Sequence, residues 1–512
     1  MTYTKIYGSL KKDIILLLIL AVFSVPYLFK FKIRVGFPPG YAGLYAQMAE
    51  EVVKNNFAYP DTISYYGGGS IPFAYPPLSF YLMALIVNVF QVNSMVYILF
   101  APSIFLGMTY IAFYFTTKIL LKSRLGAFLA TLFFITSSGI MGYHYSAEGI
   151  TRTLALLLII GSLFFLTKYY YGNKRSLVYS ALLWGSAALT HPTYAVYGAF
   201  NALVVLFYKK RKLNITYLSE ISKFFIYGAL LVIPWILIVV SKHSFTPFIN
   251  VSGTHDTLNI LNHISSFHNF YDYINAILLA KHETVILTSA SLIGVLYLFL
   301  KKDFLMPSLF LVTFLTGGLE GQRFMAIISS VITAKFLIEI FSPILKSFFA
   351  KTRLVKAVTF TLLLMIVSLF VFNRMTEITM YKSSIDYASI QKLADYLNKN
   401  TSESTSYLLL SSNLIEHEWF PYFIKMFPVV NSFGREWTGD YNDEGKRFNW
   451  LLSCSDKFVA DCKDIIRINN GEPNRLLILN IKQVDINLER EIKTNGWKKV
   501  NIQNEIYTIY EN

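Results

Sequence analysis

Charge is what this chain has least of. Asp, Glu, Lys and Arg make up 15% of its 512 residues, against roughly 25% in soluble globular chains. The deficit excludes an ordinary soluble protein. Acid is scarcer still: 31 Asp and Glu face 46 Lys and Arg, for a net charge of +15. Cysteine is nearly absent, with Cys454 and Cys462 alone, and a two-cysteine metal site would need further ligands that do not stand nearby. No small-residue cleavage site follows the first apolar run, which therefore reads as a retained span and not a signal peptide. What fills the chain instead is apolar: 54% hydrophobic residues, 16% aromatic, and a mean hydropathy of +0.46. Runs of roughly 20 such residues, each able to cross about 30 Å of hydrocarbon, recur along it. This is the composition of a polytopic membrane protein.

The positive charge invites a nucleic-acid partner, but its distribution rejects one. Lys and Arg gather in short gaps between apolar runs: Lys118, Lys122 and Arg124; Lys168, Lys174 and Arg175; residues 209–212; Lys301 and Lys302; Lys346, Lys351, Arg353 and Lys356. Such gaps are cytoplasmic turns under the positive-inside rule. Lys5, Lys11 and Lys12 put the N-terminus inside as well. About eleven spans follow, near 14–31, 95–117, 126–142, 151–170, 176–190, 193–208, 222–241, 284–300, 304–318, 324–343 and 357–373. The run 78–91 is too short to cross and is expected to lie embedded or at the surface within an outer loop, residues 32–94. All eight histidines avoid the basic gaps and fall on or near the outer side.

The expected fold is thus an all-α polytopic membrane domain over 1–373, N-terminus inside, followed by a small α/β domain over 374–512 outside. In the latter, 385–398 has helical periodicity, and 407–411, 475–481 and 500–510 read as strands. On an oxidising face Cys454 and Cys462 are expected to pair. Asn250-Val-Ser and Asn400-Thr-Ser match glycosylation acceptors.

The outer loop carries the most information. It reads GFPPGYAGLYAQMAEEVVKNNF from Gly36, then a Gly-rich turn, then IPFAYPPLSFYLMAL. Tyr45 and Ala49 stand at helical spacing, and Tyr75-Pro-Pro-Leu heads an apolar run. A short turn, HYSAEGITRTLALLL, carries Glu148 just before a span, and GQRFMAI puts Arg323 at the start of a late one. This order of features resembles the GT-C superfamily of integral membrane glycosyltransferases, which includes aminoarabinose transferases, protein O-mannosyltransferases and oligosaccharyltransferase catalytic subunits. The resemblance covers roughly residues 14–345. It implies transfer of a sugar from a polyprenyl-phosphate donor to a glycan, lipid or protein acceptor on the outer face, with inversion. It also implies a carboxylate just before the Tyr-x-x-x-Ala helix, where this chain has Ala42.

Ala42 has three readings: a replaced Asp or Glu, a non-catalytic relative, or transfer of the role to another carboxylate, Glu148 foremost. Glu50, Glu51 and Asp61 read as solvent-facing from their spacing. Glu148 and Arg152, four apart at a span's start, share a helix face, and ionisable groups at a membrane boundary mark function by default. A capping carboxylate is the plainer reading of Glu148. Arg323 suits a lipid-linked phosphate, since guanidinium pairs phosphate oxygens in bidentate fashion; snorkelling to head groups, or pairing with Glu320, is its alternative. His191, before a helix-start proline, and His144 could orient phosphate or relay a proton. Tyr41, Tyr45 and Tyr75 complete the expected substrate-binding set. A divalent ion, Mg²⁺ or Mn²⁺, enters only through the resemblance, and with one carboxylate absent is the less expected arrangement. Two rivals stand beside the enzyme: a flippase or transporter of a lipid-linked sugar, and a non-catalytic lipid-linked-glycan-binding envelope protein. The first predicts an inverted repeat and charged, broken mid-membrane helices; no clear repeat is present and span centres are nearly uncharged.

Overall fold

The computed structural model describes residues 3–67, 70–210, 214–254, 283–315, 321–349, 385–402, 405–457, 462 and 475–511. It is mostly helical, with a small C-terminal sheet. The expected span at 357–373, the expected domain boundary near 373, Glu320 and most of the loop 241–282 lie outside the described residues. The chain forms two compact units: residues 1–36, 99–235 and 256–381 make the first, and residues 37–98, 236–255 and 382–512 the second.

The first unit is helical. Its elements are α1 (Tyr3–Val35), the body of α4 (Ser94–Leu121), α5 (Arg124–Ile135), α6 (Ser138–His144), α7 (Gly149–Tyr170), α8 (Ser176–Ala188), α9 (Pro192–Lys210), the first part of α10 (Ile215–His243), α12 (Glu283–Leu300), α13 (Leu305–Leu315) and α14 (Gly321–Phe349). Among the described residues, four helices are long and apolar enough to cross a membrane: Lys11–Lys30 within α1, α4, α7 and α10. Lipid supplies no hydrophobic drive between helices, so close packing and small polar contacts hold them. Ser162 on α7 and Ser180 on α8 each donate to the other's carbonyl, at 2.8 and 2.9 Å. Phe113 stacks on Phe134 at 4.3 Å, and Tyr197 on Phe324 at 4.4 Å. At one end, buried Asp13 receives Tyr114, Lys118 and Arg124 together.

One expected span is broken. Residues 126–142 are not a single helix but α5 and α6, parted at Thr136 and Ser137. Thr136 turns its hydroxyl back onto the Leu132 carbonyl at 3.0 Å, and Ser137 takes an extended conformation that starts α6 afresh.

The second unit holds α2 (Gly43–Lys54), the hairpin β1 (Thr62–Ser64) and β2 (Ser70–Pro72), α3 (Leu78–Phe90) and α11 (Thr246–Thr254). At 13 residues α3 spans about 20 Å, too short to cross. The C-terminal part builds a five-stranded sheet in the order β4-β3-β5-β7-β6, from β3 (Ser406–Leu410), β4 (Phe427–Pro428), β5 (Arg475–Asn480), β6 (Lys498–Val500) and β7 (Tyr507–Glu511). Strand β3 runs parallel to β4 and β5, and β7 antiparallel to β5 and β6. The runs SYLLL and RLLILN are apolar without alternation, as strands covered on both faces must be. Helices α15 (Tyr387–Asn400), α16 (Leu414–Ile424), α17 (Tyr441–Asp456) and α18 (Ile486–Thr494) accompany them. Buried Ile390, Leu393, Ala394 and Leu397 give α15 one apolar stripe, and Asp386 caps its start by accepting from the Ser389 amide. The expected strand 500–510 is two strands, because the Asn504 side chain accepts from the amides of Ile506 and Tyr507 and turns the chain between them. Cys454 and Cys462 are joined in a disulfide, with Cα atoms 5.6 Å apart.

Candidate active site

In the first unit, the sequence-marked polar residues gather about the turn between α6 and α7. Gly149 opens α7 where a Cβ would lie 2.2 Å from the His144 carbonyl oxygen, so only glycine lets the turn close this tightly. His144 is fully buried; its Nδ1 donates to the Ile140 carbonyl at 2.6 Å, leaving Nε2 to accept from the Tyr194 hydroxyl at 2.5 Å. The His191 ring stands edge-on to Tyr194, centroids 5.2 Å apart. Arg323, wholly buried, lays its guanidinium 4.7 Å from the Tyr194 ring centre and 5.3 Å from that of Tyr143. Glu148 and Arg152 form an ion pair at 2.5 Å, one helical turn apart and partly exposed.

His144, His191 and Arg323, drawn from distant parts of the sequence, therefore meet at one tyrosine. Tyr194 was not among the expected site residues. Its signal was legible: it follows His191 by three positions, in the first turn of α9. A second residue was also missed. Lys32, near the end of α1, is fully buried with its ammonium 4.4 Å from the centre of the Tyr145 ring. Lys30, Lys32 and Arg34 put three cations at the end of the first apolar run that should be poor in them, and this breach of the charge rule was its trace.

In the second unit, the site is built around the start of α2. Ala42 is fully buried at the helix N-cap, where it has no side chain to offer the free amides. Glu418, from α16, supplies it. Its Oε2 accepts from the amides of Ala42 and Gly43 at 3.0 and 2.8 Å, and Oε1 from Leu44 at 2.8 Å. A carboxylate at a helix N-terminus is favoured by the orphan amides and the helix dipole together. Gly43 is obligatory, since a Cβ there would lie 2.7 Å from the Glu418 carbonyl oxygen. The Tyr66 hydroxyl donates to that same carbonyl, and the Trp419 indole donates to Gly40.

The tyrosines of the loop form an aromatic cluster. Tyr45 lies 5.9 Å from Tyr75, Tyr75 meets Trp437 edge-on at 5.7 Å, and Tyr41 packs at 5.7 Å on Phe433. The three acids expected to face solvent divide. Glu51 is buried and accepts from Gln47, and half-buried Glu50 pairs with Lys425 at 2.6 Å; only Asp61 is exposed, bound to Lys242. Burial lowers the Lys425 ammonium from its ordinary value, with Glu50 opposing.

Among the described residues no group of three or more His, Cys, Asp or Glu side chains could hold a metal ion, and Glu418 already spends both oxygens on amides. Hard divalent cations need several oxygen ligands, so no step is derived through a metal.

A scan against protein-family models finds no match, and a search of the curated proteins finds none. Solved structures do match. The archaeal oligosaccharyltransferase AglB from Archaeoglobus fulgidus, in complex with an inhibitory peptide and a dolichol-phosphate, superposes with a TM-score of 0.63 at 13% identity, over 94% of this chain and 70% of its own. ArnT from Cupriavidus metallidurans gives 0.57 at 12% identity over 98% of both chains, and has also been solved bound to undecaprenyl phosphate. The mycobacterial arabinofuranosyltransferase AftD gives 0.54 at 14% identity, over 96% of this chain and 41% of its own. All three are GT-C membrane glycosyltransferases. The likeness establishes the fold: this chain has the GT-C architecture.

Proposed function

We propose that this GT-C-fold membrane protein is a glycosyltransferase that moves a sugar from a polyprenyl-phosphate donor to a glycan, lipid or protein acceptor on the extracytoplasmic face. The observation that carries the reading is the assembly of Arg323, His144, His191 and the Arg152–Glu148 pair about Tyr194 and its turn. Buried, preorganised positive charge is what a departing phosphate requires. The same cluster contains a carboxylate.

The acceptor oxygen attacks the anomeric carbon as the bond from that carbon to the phosphate oxygen breaks. The phosphate leaves with the bonding electrons, and the acceptor proton passes to Glu148. Arg323 faces the phosphate. His144 is fixed in one tautomer by the Ile140 carbonyl, so Tyr194 gives its hydrogen to His144 while Arg323 lies against the face of its ring.

Transfer of radiolabelled sugar from polyprenyl-phosphate donors tests this. The native chain should transfer. Glu148→Gln should lose about 10²–10⁴-fold in rate, the usual worth of a positioned base, while still binding the lipid phosphate. Ala42→Asp should gain nothing. Transfer seen only in Ala42→Asp moves the base to position 42. Lipid phosphate bound with no transfer by any form leaves a lipid-linked-glycan-binding protein, the reading that buried Ala42 otherwise favours.

A further inference from the structure

The sheet-bearing unit carries a recess between the C-terminal end of α2, the turn after β1 and the ends of α15 and α16, with a volume of about 320 Å³. A single bound water needs only about 10–15 Å³. Glu50 and Lys54 come from α2, Tyr65 from the turn, Asn398 and Thr401 from the end of α15, and Lys425 from the end of α16. On α2, a rise of about 1.5 Å per residue puts Glu50 and Lys54 roughly 12–18 Å beyond Ala42. The recess is therefore distinct from the start of that helix.

Lys425 is its centre. It ends α16 with φ +54°, a left-handed conformation that favours glycine, and Tyr65 is left-handed too, with φ +68°. Side chains kept on such backbone beside a cavity point to a ligand. The Lys425 ammonium donates to Gln47 Oε1 at 2.8 Å and to Glu50 Oε2 at 2.6 Å, and stands 4.4 Å from the centre of the Tyr422 ring. Of its three N–H donors, two are thus spent among the described residues. The Lys54 ammonium lies 3.7 Å from Glu51 and 5.7 Å from the centre of the Tyr65 ring.

Each lysine is matched by a carboxylate, so the recess has no surplus charge with which to draw an anion. Its lining is about equally polar and apolar, whereas pockets for apolar ligands are lined mostly by apolar groups. It sets ammonium and amide donors, a carboxylate acceptor and a hydroxyl beside an aromatic wall. A sugar ring matches this, with hydroxyls that both give and accept hydrogen bonds and C–H faces between them. We propose that the recess is a binding site for one neutral sugar unit of a glycan, with Lys425 and Asn398 donating to its hydroxyls and Glu50 accepting from them. The assignment holds whether or not the chain transfers sugar.

The test uses the full chain in lipid nanodiscs, free of sugar-headed detergent. Saturation-transfer NMR reads binding of the methyl glycosides of glucose, galactose, mannose and N-acetylglucosamine, and of glucose 6-phosphate. At least one glycoside should bind saturably, and Lys425→Met and Asn398→Leu should each weaken it at least fivefold. Glucose 6-phosphate should bind no more tightly than methyl glucoside. Lys425→Met also breaks the pair with Glu50 and should lower Tm. Asn398→Leu changes an exposed side chain, should leave Tm in place, and decides alone if the first variant does not fold. Binding that neither variant weakens, or no glycoside bound at all, overturns the site. A tenfold preference for glucose 6-phosphate overturns the neutral sugar in favour of an anion.

Discussion

Glu418 and Ala42 show at the scale of one residue how a helix start with no capping side chain of its own is capped by a distant carboxylate. The N-terminus of α2 has amides to satisfy, and residue 42 has nothing to satisfy them with. A carboxylate 376 positions away does so instead, with three contacts between 2.8 and 3.0 Å. Bonds to a charged acceptor in a buried place are worth about 1.5–3 kcal/mol each. Glu418→Gln, which must turn an N–H toward one of those amides, should destabilise the chain by about 2 kcal/mol. Ala42→Asp alone should also destabilise, by bringing a second carboxylate to the same amides. The two changes together should cost less than their sum, because neighbouring groups that share a partner are not additive. Thermal unfolding of the three variants in detergent decides it; strict additivity would mean that the carboxylate introduced at position 42 and Glu418 do not compete. None of this was legible from 36–82 alone. The helix start, the aromatic cluster and the missing carboxylate could be read there. The cap from Glu418 could not, because α16 meets the start of α2 only through the fold. Lys32 and Tyr194 were missed for a different reason: each had a local signal that composition-level reading passed over.

Elements were legible where periodicity was unopposed. The stripe of α15, the apolar runs of β3 and β5 and the short α3 stand close to where the sequence put them. They failed where the backbone turned against the pattern, at the extended Ser137 between α5 and α6 and at Asn504, whose side chain turns the chain between β6 and β7. The network at the head of α16 belongs to this scale and makes the fold sensitive to pH. His417 donates to the Ser411 carbonyl at 2.9 Å and is held down to about 4 by burial. With a folded value below the ordinary 6.5, the unfolded chain takes up the proton first. Stability is therefore lost as pH falls from about 6.5 to about 4, by up to about 3 kcal/mol. Adjacent Glu416 runs the other way. Burial raises it, against hydrogen bonds from Asn480, Ser411 and Tyr507, so its contribution is present at low pH and lost as pH rises through its raised value. In His417→Gln the fall in Tm between about pH 6.5 and about pH 4.5 should shrink while the stability at about pH 7 changes little. An undiminished fall would assign the acid sensitivity to other groups.

For the whole molecule, the net charge of +15 is a statement about sidedness. Were it spread evenly it would suggest a polyanionic partner. Concentrated in the gaps at 118–124, 168–175 and 301–302, it has the distribution that the positive-inside rule expects of cytoplasmic helix ends. The cluster at Lys30, Lys32 and Arg34 departs from that distribution. The proposed chemistry requires that the sheet-bearing unit and the turn at 145–148 face away from the cytoplasm. Cys454 and Cys462 are joined and cannot react with a maleimide, so an introduced thiol can be read without background from the native pair. Asn400 and Asn173 are both exposed, one at the end of α15 and the other between α7 and α8. In intact cells a membrane-impermeant maleimide should label Asn400→Cys and spare Asn173→Cys, and permeabilisation should expose the second. The reverse pattern would turn the molecule over, put the basic gaps outside, and bring the donor phosphate to the cytoplasmic leaflet. An extracytoplasmic transferase could not survive that result, whatever the geometry of its cluster.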